Sequence, residues 1–385
     1  MKRDWEVIVV GAGPSGSITA SLLARLGHEV LLVDKDDFPR DKICGDALPS
    51  GVFNILADAG MKEIVDQAIA EGHFYPLMSM RLVAPSGQHL IAPLKQGSSS
   101  YYPHITSRLF FDDLLVRHAI RLGVEFRSLK VTGPLIENGQ VIGITAEGDN
   151  SEILYAKVTV GADGVSSVIS RHLRDRKRHV SKHRAMAIRG YIEGIEVNHN
   201  EAEFILYHDI LPGYAWIFPT GENRANLGLG MRLDYYRRNH SNLKKMLEDF
   251  MTLPAIRRRL KQGAEIGSIA AWPLNFGSQK YLQYAFNGAL LVGDAAGFIS
   301  PLTGGGIHRS MISGQLAAMV IHEALQQKNN GVKLIRYEEL CESVLLKELR
   351  SSYYLQELLL RFPFLVDIAV RFFKGILSRN MVKYK

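Results

Sequence analysis

The sequence predicts an α/β protein: a parallel sheet with helices packed against it, an inserted and mainly antiparallel sheet, and a helical segment at the C-terminal end. Three observations carry this prediction. Near the N-terminus, an apolar run is followed by a glycine-rich turn, a helical stretch and a second apolar run. Segments in the middle of the chain alternate apolar and polar residues, as half-buried strands do. From 333 onward, apolar side chains recur at helical spacing.

The composition is that of an ordinary globular protein with two or three domains: 385 residues, 46% hydrophobic and 22% charged. A formal net charge of +7 is compatible with an anionic partner or membrane surface. The two cysteines, Cys44 and Cys341, argue against a disulfide scaffold and predict a reducing, cytoplasmic compartment. No apolar run approaches the roughly 18 residues that span a bilayer, which leaves peripheral contact with the inner membrane face open.

We predict a discontinuous nucleotide-binding domain from segments 1-72, 103-184 and 280-332. The inserts 73-102 and 185-279 are predicted to form a substrate-binding β lobe, with a hairpin around Pro85-Ser86-Gly87 and a helix at about 242–262. Segment 333-385 is predicted to be helical.

The glycine-rich turn has the spacing of a dinucleotide-binding site. Gly11, Gly13 and Gly16 fit G-x-G-x-x-G between a strand and a helix. The first glycine permits a tight turn, the second lets the backbone approach a pyrophosphate, and the third lets the helix pack close to the strand. Pro14 and Ser15 open the helix, whose free N–H groups would face the phosphates.

An acid at the end of the next strand completes this motif. Asp34, followed by Lys35, is placed to accept hydrogen bonds from ribose hydroxyls, and its charge disfavours a 2′-phosphate. NADP is therefore not expected at this site. The motif alone leaves NAD and FAD as alternatives.

Two later segments bear on that choice. A strand ends before Asp163-Gly164, and another ends before Asp294, whose carboxylate would suit a ribityl hydroxyl with a bond worth about 1.5–3 kcal/mol. Three glycines, Gly304, Gly305 and Gly306, then lead through Ile307 into a long helix. Their backbone can approach a flavin ring, and the helix dipole favours negative charge there. Packing of small residues is the alternative explanation for each segment.

In this order, the three motifs resemble the p-hydroxybenzoate hydroxylase-like class of FAD-dependent oxidoreductases. The resemblance implies FAD as the cofactor. It also implies that Arg108 contacts the flavin nucleotide and that the strand backbone at Val131 meets the adenine. No second G-x-G-x-x-G occurs in the sequence. A nicotinamide donor, NAD(P)H, would therefore bind transiently, or electrons would come from a protein or quinol.

Within that class, three segments resemble the geranylgeranyl reductase family: FPRDKICGDALPSG (38–51), GYAWIFPTGENRANLGLG (213–230) and GDAAGFISPLTGGGIHRSM (293–311). The resemblance implies an enzyme that reduces carbon–carbon double bonds of a polyprenyl lipid, diphosphate or quinone. It places Cys44 and Gly45 near the flavin ring. The chain departs from the family at residues 304–306, where members often carry Gly-Glu-Gly.

Candidate catalytic residues come from the first two of these segments. Tyr214, Trp216 and Phe218 alternate, so they share one face of a strand and form either a wall for a long apolar ligand or an aromatic core. Cys44 follows Lys42, a cation that would lower the pKa of the thiol; a small buried residue is the alternative. Cys44, Tyr214 or an ordered water would protonate the alkene, and Trp216 is counted with the predicted catalytic residues. No metal site is predicted.

Two other functions remain open. One is an oxygen-activating monooxygenase or halogenase. Flavin halogenases carry W-x-W-x-I-P, whereas Tyr214 and Phe218 replace the first Trp and the Ile here, and no lysine is identifiable between substrate and flavin. The other is a non-catalytic flavoprotein that acts as a redox sensor or lipid-binding partner.

Two basic segments have competing explanations. Residues 171–184 lack interleaved aromatics, so a solvated connection is favoured over a nucleic-acid surface. In the segment 361–385, Phe362, Val366, Phe372 and Phe373 follow helical spacing, with Asp367 and Arg371 on the other side. That pattern predicts a helix that lies on an anionic membrane or packs on the nucleotide-binding domain.

Overall fold

The computed structural model describes residues 5–97, 99–148, 152–174, 180–239, 242–327 and 333–382. Its strands are, in chain order, β1 (Trp5–Val10), β2 (Val30–Asp34), β3 (Ala47–Leu48), β4 (Tyr75–Pro76), β5 (Ser79–Val83), β6 (His89–Pro93), β7 (His104–Ile105), β8 (Glu125–Ser128), β9 (Val131–Glu137), β10 (Gln140–Ala146), β11 (Glu152–Gly161), β12 (Arg184–Ile195), β13 (Glu201–Ile205), β14 (Tyr214–Gly221), β15 (Arg224–Arg232), β16 (Leu260–Ile266), β17 (Ala270–Asn275), β18 (Ala285–Phe286) and β19 (Ala289–Leu291). Its α-helices are α1 (Pro14–Arg25), α2 (Gly51–Asp58), α3 (Lys62–Ala70), α4 (Arg108–Arg121), α5 (Val168–Leu173), α6 (Leu233–Arg238), α7 (Leu243–Thr252), α8 (Pro254–Arg257), α9 (Gly293–Ala296), α10 (Ile307–Gln326), α11 (Arg336–Cys341), α12 (Lys347–Arg361) and α13 (Phe364–Val382).

The first sheet has the predicted α/β character. Its strands lie in the order β18-β19-β11-β1-β2-β8, and β1 runs parallel to both β2 and β11. Strands β9 and β10 continue from β11 as an antiparallel extension. Because β1, β2, β11 and β19 are parallel, their carboxyl ends meet at one edge of the sheet. Ligands of open α/β sheets bind outside such an edge.

Helix α1 is held firmly on this sheet. It is buried along most of its length, with α4 and α10 packed against it. A β-carbon at Gly314 of α10 would lie 2.7 Å from the Ser15 carbonyl oxygen, so only glycine allows this approach of the two helices. Thr19 donates to the same carbonyl oxygen at 2.8 Å. The helix that opens at the glycine turn is therefore rigidly placed.

The second sheet unites two segments that are distant in sequence. Its strands lie in the order β16-β12-β15-β14-β13-β5-β6, with β17 beside β12. The predicted hairpin is β5–β6, and it joins the rest of the sheet through parallel pairing of β5 with β13. The other pairings in the sheet are antiparallel. The exact domain boundaries given above stay a prediction.

The helix predicted at about 242–262 is wrong in its second half. Helix α7 ends at Thr252, and Pro254 opens the short helix α8. Proline fits the first turn of a helix but not its interior, so the chain cannot continue α7 through this point. Leu260–Ile266 is instead the edge strand β16, paired with β12.

The C-terminal segment is helical, as predicted, but α13 does not present the predicted faces. Val366 and Val370 are buried beside Ala84 of the β5–β6 hairpin. Asp367 accepts a hydrogen bond from the Ser86 hydroxyl, so the expected polar face is bonded to the hairpin turn. Helix α13 thus packs on the second sheet, and the large side chains that it exposes before residue 374 are Phe364, Ile368, Phe372 and Phe373. Within the described ranges, no helix has the length and hydropathy needed to cross a bilayer.

Candidate active site

A cavity of about 1010 Å³ is lined by residues of both sheets and of the C-terminal helices. It begins at the carboxyl edge of the first sheet and reaches Leu359, Leu360 and Val366 of α12 and α13. The predicted site residues that line it are Gly11, Gly13, Pro14, Ser15, Asp34, Lys35, Cys44, Gly45, Arg108, Val131, Asp163, Gly164, Tyr214, Trp216, Asp294, Gly304, Gly305, Gly306 and Ile307. Gly16 does not line the cavity, because it packs against the Gly11 carbonyl oxygen at the end of β1.

The three glycines of the turn are required for different reasons. Gly11 has a φ of +104°, and a side chain there would collide with the backbone of Ala162. Gly16 lies against the Gly11 carbonyl oxygen and has no room for a β-carbon. At Gly13, the nearest heavy atoms to an added β-carbon are guanidinium nitrogens of Arg40 and Arg108, each 4.0 Å away. Protein contacts do not account for Gly13, so this open cradle fits a bound pyrophosphate.

Two arginines share one buried carboxylate beside that cradle. Arg108 donates its Nε and Nη2 to Asp112 at 2.6 and 2.7 Å, and Arg40 donates its Nη1 at 2.9 Å. Asp112 is 0% exposed. The three groups carry one net positive charge next to the N-terminus of α1, which suits an anionic phosphate. Arg40 and Asp112 were not among the predicted site residues, although the spacing of Arg108 and Asp112 on one helix face was a usable signal.

Asp34 shapes the turn as well as facing the cavity. Its carboxylate accepts the Ala12 N–H at 2.8 Å and the Asp36 N–H at 3.2 Å. Lys35 is exposed, so it lies at the rim. Val131 lines this same polar end at the start of β9.

Asp163 and Asp294 follow two neighbouring strands but have different surroundings. The Asp163 carboxylate accepts the N–H groups of Val168 and Ile169 at 2.7 and 3.3 Å, so it caps α5. Asp294 lies beside Gly306, where an added β-carbon would be 3.3 Å from its Oδ1. Burial raises the pKa of both carboxyls; for Asp294, the charge of Lys42 opposes this. The Asp294 carboxylate has a hydrogen bond with the Ser310 side chain and lines the cavity, where it is available to a hydroxyl-bearing ligand.

Lys42 also lines the cavity, although it was not among the predicted site residues. Its Nζ lies 3.3 Å from the ring centroid of Trp272. Burial lowers the pKa of Lys42 to about 7, against the attraction of Asp294. Lys42 and Trp272 are far apart in the chain, so no local sequence pattern predicts this contact.

The loop that carries Cys44 is hydrogen-bonded to the aromatic wall through Asn226, which was not among the predicted site residues. Asn226 Nδ2 donates to the Cys44 carbonyl and to Asp46 Oδ2, both at 2.8 Å, while Trp216 Nε1 donates to Asn226 Oδ1 at 2.9 Å. The expectation that a cation lowers the pKa of the Cys44 thiol is wrong. Burial raises that pKa and outweighs the attraction of Arg108. Cys44 is therefore a protonated thiol at neutral pH.

The aromatic alternation on β14 is confirmed. The ring centroids of Tyr214 and Trp216 lie 6.0 Å apart, and those of Trp216 and Phe218 lie 6.2 Å apart. Gly228 of β15 leaves the space that the Trp216 ring fills. The Tyr214 hydroxyl donates to the Thr303 carbonyl, which anchors the loop before Gly304.

The basic segment 171–184 is not solvated along its whole length, contrary to expectation. Arg174 is buried and donates to the carbonyls of Gln283 and Ala296 at 3.0 and 3.1 Å. His183 is buried and hydrogen-bonded to Ser278 at 2.8 Å. Residues 175–179 lie outside the described residues. In the described part of the chain, no group of three or more His, Cys, Asp or Glu side chains is placed to hold a metal ion.

Comparison with known proteins defines the class. Residues 4–351 match the FAD binding domain family, so the chain is an FAD-binding flavoprotein. The digeranylgeranylglycerophospholipid reductase of Methanocella arvoryzae is 31% identical over 93% of this chain and 88% of its own length. The chain belongs to the family of these reductases. The predicted fold class and the predicted enzyme class, an FAD-dependent oxidoreductase, are confirmed.

Solved structures agree with this assignment. A geranylgeranyl bacteriochlorophyll reductase-like protein of Thermoplasma acidophilum superposes with a TM-score of 0.80 at 25% identity, covering 92% of this chain and 87% of the other. A flavin-dependent brominase superposes with a TM-score of 0.78 at 21% identity, covering 99% of each chain. The likeness to the brominase is one of fold alone.

Proposed function

We propose that this protein reduces carbon–carbon double bonds in the polyprenyl chain of a lipid. The observation that carries the proposal is the course of the cavity. A polar end at the glycine turn leads past Cys44 and the aromatic wall to the apolar side chains of Leu359, Leu360 and Val366. A nucleotide cofactor suits the first part, and a long apolar chain suits the second. The 31% identical relative is a digeranylgeranylglycerophospholipid reductase, which supports a polyprenyl glycerolipid as the substrate.

FAD fits the residues of the polar end. The Gly13 cradle and the α1 N-terminus would hold the pyrophosphate with Arg40 and Arg108, and Asp34 would hold the ribose. Asp294 and the backbone of residues 304–306 would face the ribityl chain and the ring. When bound and reduced, FAD supplies the hydride. NAD(P)H bound transiently, or another electron donor, would restore the reduced state.

The protein's own contribution is alignment and exclusion of water. An isolated alkene is a weak electrophile, so it reacts only when it is held close to the hydride source. Trp216 and Phe218 are buried, and the bond from Trp216 to Asn226 fixes the indole. This rigid wall would press the prenyl chain against the ring.

Cys44 is the proton donor that the geometry favours. The proton of Tyr214 is committed to the Thr303 carbonyl, and burial raises the pKa of this phenol. The Cys44 thiol has a raised pKa and lines the cavity, so it holds a proton at the place where the alkene would lie. Trp216 would position the chain and not exchange protons.

Product analysis tests the function and names the substrate class. The chemically reduced holoprotein would be incubated without oxygen with a polyprenyl diphosphate, a polyprenyl glycerolipid and menaquinone in turn. We expect products heavier by two hydrogens from the glycerolipid, about 10² times slower with Cys44→Ala, because general acid catalysis is lost. Cys341→Ala is the matched control, since Cys341 is buried in the first sheet's core. An unchanged rate with Cys44→Ala would show that Cys44 is not the proton donor.

A halogenase or monooxygenase is the second candidate, favoured by Lys42. This lysine lies on the Trp272 ring inside the cavity with a pKa near 7, and the brominase shares the fold. Oxygen consumption with bromide and a phenol, dependent on Lys42, would establish that activity. Under the main proposal, no halogenated product forms and Lys42→Ala leaves oxygen uptake unchanged.

We also propose that α13 lies on the cytoplasmic membrane surface that holds the lipid. Pro363 and Val366 line the apolar end of the cavity, and Phe372 and Phe373 are exposed on the same helix. Replacing both phenylalanines with serine should reduce co-sedimentation with anionic vesicles. Tyr281→Ser is the control, because Tyr281 is 90% exposed elsewhere. Equal sedimentation of both variants would contradict the proposal.

A further inference from the structure

A second acidic group lies behind Cys44. Asp46 is 0% exposed. Its Oδ2 accepts hydrogen bonds from the Tyr191 hydroxyl and from Asn226 Nδ2. Its Oδ1 is buried and has no hydrogen-bond partner among the residues that the structure describes. A carboxyl in such a place needs an explanation, because burying a charge costs free energy.

We propose that Asp46 is the proton reservoir of Cys44, returning a proton to the sulfur after each reduced double bond. The inference rests on the proposed function, which uses Cys44 as the proton donor. Asp46 borders the cavity but is 0% exposed, so it acts through the thiol.

The backbone holds the two groups side by side. The Asp46 N–H donates to Cys44 Sγ at 3.3 Å, and Asn226 binds both residues at once. Gly45 between them is pressed against the wall, since an added β-carbon would lie 3.2 Å from Phe218 Cε2 and 3.6 Å from Trp216 Nε1. This packing and the two bonds from Asn226 hold the loop against the wall, and the Asp46 carboxyl is close enough to act electrostatically on the Cys44 thiol.

The proton balance of the reaction requires such a source. One alkene carbon takes a hydride with its two electrons, and the other takes the proton of Cys44 as the S–H bond breaks. The resulting thiolate takes the proton of the Asp46 carboxyl, and the carboxylate takes one proton from solvent. A polyprenyl chain offers several double bonds, so the thiol must be restored repeatedly.

The charges around Asp46 suit a group that both holds and releases a proton. Facing it are Tyr191 and Arg189 of β12, Arg108 of α4, the neutral Asn226 of β15, and Cys44 on its own loop. Burial raises the pKa of Asp46 to about 6, opposed by the bonds from Tyr191 and Asn226 and by the two arginines. The pKa of Asp46 lies below the raised pKa of Cys44, so a proton on the Asp46 carboxyl moves to the thiolate, and solvent then returns a proton to the carboxylate.

The alternative is that Asp46 only ties the loop to the sheet. Asp46→Asn separates the two explanations. The amide oxygen can accept both hydrogen bonds of Oδ2, and the amide nitrogen takes the place of the unpartnered Oδ1. Asp46→Asn therefore keeps the hydrogen bonds from Tyr191 and Asn226 but loses the titrating proton. Tyr191→Phe is the complementary variant, because it removes one tie and keeps the carboxyl.

The first measurement needs no lipid. Infrared difference spectra of the oxidised holoprotein, wild type against Asp46→Asn, should show a protonated-carboxyl band that disappears as the pH rises through about 6. Absence of a titrating band between pH 4 and pH 8 would overturn the inference.

The second measurement follows successive turnovers without oxygen. With Asp46→Asn, we expect the first double bond to be reduced at nearly the wild-type rate and later ones at least about tenfold slower, since the thiol recovers slowly. Tyr191→Phe should retain fast later turnovers. An equal slowing of the first and later turnovers would make Asp46 a structural tie and overturn the inference. A wild-type protein that reduces no lipid at all would instead overturn the proposed function, and this inference with it.

Discussion

The two ends of the cavity are built in different ways. At the nucleotide end, the glycine turn, its helix and Asp34 follow one another within thirty residues, and the contact from Ala12 to Asp34 spans 22 positions. At the Cys44 end, Asp46 is held by Tyr191 and Asn226, which lie 145 and 180 positions away. The first end is encoded locally, whereas the second exists only once the second sheet has docked. Substitutions at the two ends of the cavity should therefore differ in their effects on folding, flavin binding and catalysis.

The largest expected effect separates two glycines of the same turn. Gly16→Val should prevent folding, because even a β-carbon overlaps the Gly11 carbonyl oxygen. Gly13→Val should fold with near wild-type thermal stability in the flavin-free state but bind no FAD, because its side chain fills the pyrophosphate cradle. Circular dichroism and bound-flavin absorbance measure the two outcomes. Wild-type flavin content in Gly13→Val would refute the placement of the cofactor.

Asp112→Asn should be the next most damaging change. It leaves Arg40 and Arg108 without their shared buried charge, a loss on the order of 3 kcal/mol in the free energy of unfolding. The neighbouring Asp113→Asn is the control. Its partner Arg117 is exposed, so the expected cost stays below about 1 kcal/mol. Equal urea midpoints for the two variants would show that the arginine pair does not depend on Asp112.

At the Cys44 end, Asp46→Asn should stabilise the protein in a pH-dependent way. A carboxyl whose pKa rises from 3.8 to about 6 on folding favours the folded state only while protonated. Wild-type stability should therefore fall as the pH rises from about 4 to about 7, by about 2 kcal/mol relative to the variant. Urea unfolding of both proteins across this range measures the difference. A constant difference would mean that Asp46 does not titrate in this window.

The smallest effect is expected for Tyr214→Phe. The phenol hydroxyl anchors the Thr303 carbonyl, and loss of one such bond costs about 1 kcal/mol. Reduction of the alkene should slow less than about tenfold. A loss as large as that of Cys44→Ala would make Tyr214 the proton donor instead.

This contrast also explains what the sequence could predict. The G-x-G-x-x-G turn, Asp34 and the aromatic alternation of β14 follow from spacing, since each concerns neighbours within one or two elements. The motifs in their order also sufficed for the family. The end of α7 at Thr252 could have been read from Pro254.

Other features of the structure could not be predicted from the residues next to them in the sequence. Asn226 belongs to an ordinary strand pattern, and its bonds to Cys44 and Asp46 arise from tertiary packing. The pKa of Cys44 was expected to fall beside Lys42, yet burial governs it, and burial is a property of the whole fold. For the same reason, the spacing placed Asp367 on the polar side of the helix but could not predict that it binds the hairpin turn.

The most direct test of the central claim is anaerobic stopped-flow spectroscopy of the reduced holoprotein mixed with a polyprenyl glycerolipid. The account predicts rapid recovery of the oxidised-flavin absorbance and a lipid two hydrogens heavier. Absorbance that recovers only when oxygen is admitted, with the lipid unchanged, would contradict it.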